Sequence, residues 1–307
     1  MTTLDVITGF LGAGKTTFLA RYSNWLKERN ISFCIIENEF GRAGVDGALL
    51  MRDGLRVKEI SGGCVCCTLK VTLHDMLREL SGEVERVILE PSGLFCGDDL
   101  LDILHSPQIE GKVRLGMWVG ILDPLCAPVL GAEDIEVLRS ELMAAGSLVL
   151  SKAQLCPAED MDGAVAFADA LFEGAPPMLW REPWDTYPDD EWFPALWAAG
   201  AVERPHERRR FDHAAMFQSA SFGPDAPLDG DELRERLARL LDGAAGCALR
   251  VKGTLNARGG GSWQINCTPG CVLLKRGEER LPAMLNVIGR GLERKAVRRI
   301  LEDNGDD

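Results

Sequence analysis

Gly9-Phe10-Leu11-Gly12-Ala13-Gly14-Lys15-Thr16-Thr17 decides how this chain of 307 residues is read. The stretch fits the phosphate-loop pattern G-x-x-x-x-G-K-[ST]. Its flanks supply the context that the pattern requires: residues 4–7 are a short strand-like run, and residues 18–26 read as a helix. That order sets successive backbone N–H groups at a helix N-terminus, where the dipole favours an anion. Gly9, Gly12 and Gly14 permit backbone angles and a close approach that a Cβ would block. Ala13 and Thr17 complete the loop expected to contact phosphate. Lys15 is expected to reach the β- and γ-phosphates of a nucleotide, and the Thr16 hydroxyl to ligate Mg2+.

Outward from the loop, the first half alternates strand-like runs at 31–36, 84–89, 115–122 and Ser147–Leu150 with amphipathic stretches such as 73–80 and 135–145. Polar residues gather where these runs end: Glu37-Asn38-Glu39, Glu90, Asp123 and Ser151-Lys152. Such alternation predicts an α/β fold, a P-loop NTPase with a mostly parallel, doubly wound sheet. Ligands of such sheets sit at the carboxyl ends of the strands. From about 175 to 212 prolines and tryptophans crowd together, and the stretch reads as a connection whose aromatics serve packing. Residues 213–307 read as a smaller α+β domain. It has strands at 216–222 and 248–254, a helix at 231–241, a hairpin turning at Thr268-Pro269-Gly270, and a terminal helix over 290–301 with a solvated arginine face. The expected division is a nucleotide domain at 1–185, a linker at 186–212 and a C-terminal domain at 213–307.

The formal charge of -13 argues against nucleic acid and anionic membrane surfaces as partners. No apolar window reaches the length of a membrane-spanning helix. The N-terminus lacks the basic segment of a secretory leader. A cytoplasmic location is therefore expected, with the 10 cysteines kept reduced.

Two constellations carry further chemistry. Glu90-Pro91-Ser92-Gly93 closes an apolar strand. The Glu90 carboxylate is expected to hold Mg2+ opposite the phosphate loop, and the Gly93 N–H to meet the γ-phosphate and so sense hydrolysis. Asp123 is a weaker candidate for supporting this site. In Gly62-Gly63-Cys64-Val65-Cys66-Cys67, three thiols fall within four positions. Thiolates favour Zn2+ and other soft ions. Three sulfurs leave a tetrahedron to be completed by water, a carboxylate or a histidine, and such an open site suits a metal that must be released. Structural thiols, or a disulfide switch, are the competing readings; the adjacent Cys66 and Cys67 would make a strained pair.

Taken together, the phosphate loop, Glu37-Asn38-Glu39-Phe40-Gly41 and the glycine-flanked cysteine cluster resemble the CobW-type proteins. The likeness continues at Glu90-x-x-Gly93, at residues 249–253 and at 286–292. The resemblance implies a GTPase that couples GTP hydrolysis to transfer of zinc or cobalt into a client metalloprotein, with a homodimer allowed. It implies cargo-metal ligation by Cys64, Cys66, Cys67, Glu37 and Glu39. It also implies base contacts from Ser151 and Lys152, which align with the family's guanine-reading N-K-x-D. Here that segment is Ser151-Lys152-Ala153-Gln154. The carboxylate that accepts from two guanine donors is replaced by an amide with one oxygen. Relaxed base preference follows, with ATP as an alternative to GTP. The four histidines, His74, His105, His206 and His213, form no metal-loading tract, and Arg42 stands where relatives often have an acid. Two rivals remain: a nucleotide-dependent thiol redox switch, and a nucleotide-gated scaffold that does not hydrolyse.

Overall fold

The strand ahead of the phosphate loop, β1 (Thr2–Thr8), is buried at every position, as expected of a strand covered on both faces. In the computed structural model, described over residues 1–37, 56–59, 67–91, 97–172, 177–204, 216–224 and 226–302, the chain forms two units, Met1–Phe211 and Asp212–Asp307.

In the first unit β1 is central to a sheet with β2 (Phe33–Glu37), β3 (Val57–Glu59), β4 (Arg86–Glu90), β5 (Val113–Leu122), β6 (Ser147–Leu150) and β7 (Met178–Trp180), in the order β3-β2-β4-β1-β5-β6-β7. Every neighbouring pair is parallel. The helices are α1 (Lys15–Glu28), α2 (Cys67–Leu80), α3 (Gly97–Leu104), α4 (Ala132–Leu142), α5 (Ala158–Ala170) and α6 (Asp189–Ala199). On one face, Phe18, Leu19, Tyr22 and Leu26 of α1 and Trp192, Phe193 and Leu196 of α6 pack with Ile7, Ile35, Ile88, Val119, Ile121 and Val149 of the strands. Gly120 points to the opposite face, where an added Cβ would fall 2.3 Å from Leu142 of α4. With helices on both faces, this is the doubly wound α/β sheet expected of a P-loop NTPase.

The stretch 186–212, read from its prolines as a linker, carries α6 and its three buried apolar side chains. The physical reason lies under the helix. Asp5 is fully buried and accepts hydrogen bonds from Tyr22 Oη (2.7 Å), Arg86 Nη1 (2.6 Å) and the Met117 N–H (3.1 Å). Burial raises its carboxyl above the ordinary range, against the pull of the Arg86 charge. Trp197 of α6 donates its indole N–H to Tyr22 Oη at 2.8 Å, and the Arg86 guanidinium lies 3.7 Å from the centre of the Trp197 ring. Aromatic packing and cation–π attraction thus tie α6 to the first unit. Pro188 precedes the helix and Pro194 lies within it, so proline density misled the sequence reading.

The second unit is a five-stranded antiparallel sheet with helices α7 (Gly230–Leu241) and α8 (Arg294–Glu302). Its strands β8 (Gln218–Phe222), β9 (Cys247–Asn256), β10 (Ser262–Thr268), β11 (Cys271–Gly277) and β12 (Met284–Arg290) lie in the order β11-β10-β9-β12-β8. β10 and β11 pair across Pro269-Gly270, with Gly270 at φ +72°. Leu233, Leu237 and Leu240 of α7 and Val297, Ile300 and Leu301 of α8 share one core with Val251, Ile265, Leu285 and Val287. This is the α+β arrangement expected, with one correction. The terminal helix begins at Arg294, and Met284–Arg290 is a strand between β9 and β8. Leu285 and Val287, two residues apart, turn to the same core, as the period of a strand requires, and Gly291 at φ +56° separates it from the helix. Arg294, Lys295, Arg298 and Arg299 are exposed, as expected of a solvated face.

Candidate functional site

The phosphate loop is held in shape by its glycines. Gly9, Gly12 and Gly14 adopt φ of +138°, +72° and +102°. A Cβ at Gly9 would lie 2.1 Å from the Ile121 carbonyl oxygen, so β5 leaves room only for glycine. The Ala13 N–H donates to the Phe10 carbonyl at 3.1 Å and the Phe18 N–H to the Gly14 carbonyl at 3.1 Å, which turns the loop into α1. Gly14 caps α1 without a side-chain acceptor. Such an end presents N–H groups with partial positive charge. Lys15 is buried, and its ammonium donates to the Gly9 (2.7 Å) and Phe10 (3.3 Å) carbonyls within the loop. Thr17 is exposed on the first turn.

Thr16 and Glu90 are brought together. The Thr16 hydroxyl donates to Glu90 Oε1 at 3.0 Å across 74 residues of sequence. The register of β2 and β4 pairs Glu37 with Glu90, so two buried glutamates end adjacent strands. The register of β2 and β3 pairs Glu37 with Glu59. Glu59 was not singled out in the sequence, because it lies in a three-residue strand whose place beside β2 is set only by folding.

On the other side of β1, the Asp123 carboxylate accepts from Lys152 Nζ at 2.5 Å and from the Leu125 N–H at 3.0 Å. Lys152 adopts φ +52°, an uncommon backbone state for a residue with a Cβ. Ser151 is buried and its N–H donates to the Leu122 carbonyl at 2.9 Å, while Gln154 is exposed. A Cβ at Gly14 would lie 3.4 Å from Ser151 Cβ and 3.5 Å from Trp184 Cη2, so the loop after β6 and the turn after β7 both abut the phosphate loop. Nothing in the order of residues marks Trp184 for this place; it reads as one packing aromatic among several.

Glu39, Cys64, Cys66 and Gly93 lie outside the described residues. Cys67 opens α2. Among the described residues no group of three or more His, Cys, Asp or Glu side chains is arranged to hold a metal ion. His74 sits half-buried on α2, its Nδ1 3.5 Å from Asp75 Oδ1. In the second unit, burial pushes the Cys267 thiol up to about 11. Being raised, it stays a protonated thiol throughout the neutral range, and the thiolate is the reactive form. Iodoacetamide at pH 8 is therefore expected to spare Cys267 in the folded protein and to modify it after denaturation, as read by peptide mass spectrometry. Modification of the native protein at the same rate as the half-buried Cys156 would contradict this. No helix among the described residues is long and apolar enough to cross a membrane.

Comparison with known proteins adds to this geometry. Residues 3–174 match the CobW/HypB/UreG nucleotide-binding domain, and residues 217–304 match the cobalamin synthesis protein cobW C-terminal domain. Zinc chaperone YeiR of Escherichia coli is 38% identical over 156 residues, covering 50% of this chain and 47% of that protein. Zinc chaperone CobW of Pseudomonas aeruginosa is 32% identical over 132 residues, covering 39% and 35%. Zinc-regulated GTPase metalloprotein activator 1 of Saccharomyces cerevisiae is 31% identical over 141 residues, covering 43% and 32%. The chain therefore spans about half the length, or less, of the curated relatives it matches.

Proposed function

The chain belongs to the CobW/HypB/UreG family of nucleotide-binding proteins, and on that footing we propose that it binds and hydrolyses GTP with Mg2+ and uses the nucleotide state to deliver or regulate a divalent metal. The observation that carries this reading is the 3.0 Å bond from Thr16 to Glu90 beside the buried Lys15. It sets a hydroxyl, a carboxylate and an ammonium around one glycine-shaped loop. The oxygen donors of Thr16 and Glu90 suit Mg2+, a hard cation, which when bound neutralises phosphate charge. Gly9, Gly12, Ala13, Gly14 and Thr17 supply the loop, Lys15 meets the phosphoryl charge, and the role assigned to the Gly93 N–H is contact with the γ-phosphate. Ser151 and Lys152 contact the base. With Gln154 in place of an acid, ATP competes with GTP.

The cargo is zinc or cobalt, held by Cys64, Cys66 and Cys67 with Glu37 and Glu39. The pairing of Glu37 with Glu90 supports coupling, because one residue of each proposed metal site ends an adjacent strand. A change at the γ-phosphate felt by the Glu90 strand end is then felt by its neighbour. The client is a metalloprotein, in line with the names of the chaperone and activator relatives. The proposal is tested by phosphate release from GTP with Mg2+ and with EDTA. Slow, Mg2+-dependent turnover is expected, on the order of 10⁻⁴ to 10⁻² per second as for switch GTPases without a partner. No Mg2+-dependent release above buffer would overturn it.

A further inference from the structure

The order of strands separates the two ends of a nucleotide held by the phosphate loop. Glu37 and Glu90 end strands on one side of β1, whereas Asp123, Ser151 and Lys152 follow strands on the other. The charged, Mg2+-bearing end belongs with the acids, so the nucleoside leaves the loop toward β5 and β6. There the loop meets Trp184. Its indole N–H donates to the carbonyl of Leu150, the last residue of β6, at 2.9 Å. That bond anchors the five-membered ring and carries the six-membered ring to within 3.5 Å of the Cβ position of Gly14. Phe18 supports the indole edge-on, with ring centroids 5.8 Å apart. Arg21 of α1 donates to the carbonyls of Trp184 (2.5 Å) and Tyr187 (2.6 Å) and to Asp189 Oδ1 (2.7 Å). The turn is thereby fixed to the same helix whose first residues form the loop. Trp184 is nevertheless only half-buried.

We infer that Trp184 forms an aromatic wall of the nucleoside pocket, a positioning residue that contacts the base of the nucleoside triphosphate. This rests on the nucleotide-binding reading above. Every purine has a π-face, so such a wall adds affinity without choosing between GTP and ATP. It fits a chain whose base-reading carboxylate is replaced by Gln154.

The test displaces a ribose-labelled fluorescent GTP from the full chain with GTP, ATP and inorganic tripolyphosphate, which lacks a base. Wild type is compared with Trp184→Phe, which keeps a ring, and Trp184→Leu, which keeps apolar bulk. Trp184→Leu is expected to weaken GTP and ATP alike by about tenfold or more, the scale of one base–aromatic stack. Tripolyphosphate affinity should stay within about twofold, and Trp184→Phe should restore most of the loss. A proportional loss for all three competitors would overturn the proposal, since Trp184 would then only prop the loop. Unchanged GTP affinity in Trp184→Leu would overturn it too. Wild-type protein that fails to bind the labelled GTP would remove the nucleotide reading, and this proposal with it.

Discussion

Lys15→Ala is expected to lower GTP turnover by about 10²- to 10³-fold, the loss seen when one preorganised donor is taken from developing negative charge. The side chain is buried inside the loop and its ammonium already faces the Gly9 and Phe10 carbonyls. It needs little reorganisation to meet a phosphoryl group, and an alanine leaves that charge unanswered. The fold should survive, because the loop conformation rests on Gly9, Gly12 and Gly14 and on the backbone bonds from Ala13 and Phe18. Single-turnover rates with Mg2+ and saturating GTP, beside a circular dichroism melt, measure both. Turnover within about threefold of wild type would place phosphoryl transfer elsewhere.

The second large effect is expected at the thiols. Replacing Cys64, Cys66 and Cys67 together with serine should weaken Zn2+ binding by more than about a hundredfold, since even outer-shell changes at metal sites cost ten- to a hundredfold. A hydroxyl is a hard, neutral donor where Zn2+ prefers thiolate. GTP affinity should change little, because the phosphate loop and the Thr16–Glu90 bond lie on β1, α1 and β4. Competition with a chromophoric chelator under anaerobic conditions reads the zinc affinity. Equal affinity in wild type and the triple variant would remove the cysteines from the metal site.

Much of this was legible in the chain because it is local. The phosphate loop, its strand and its helix are contiguous, and Glu37, Glu90 and Asp123 were visible as breaks in apolar runs. What could not be read is order across the sheet. That β2 lies beside β4, which pairs Glu37 with Glu90 and Glu59 with Glu37, is a property of topology. The role of Trp184 has the same origin: the Arg21 bond to its carbonyl spans 163 residues. Proline density concealed α6, whose stability comes from Trp192, Phe193 and the Asp5–Tyr22–Trp197 bonds rather than from helix propensity. The strand Met284–Arg290 went unread, and the terminal helix was begun at its last residue, because a short apolar run gives no periodicity that tells strand from helix.

The central claim is that nucleotide state and metal affinity are coupled. It is tested most directly by anaerobic Zn2+ titration of the metal-free chain alone, with GDP and Mg2+, and with a non-hydrolysable GTP analogue and Mg2+. We predict a thiolate-dependent site whose affinity differs by about tenfold between the two nucleotides, within the usual range of coupling between sites. A thiolate-dependent site of identical affinity in all three states would contradict the coupling. No thiolate-dependent binding in any of them would contradict the metal role itself and leave the cysteines to redox chemistry.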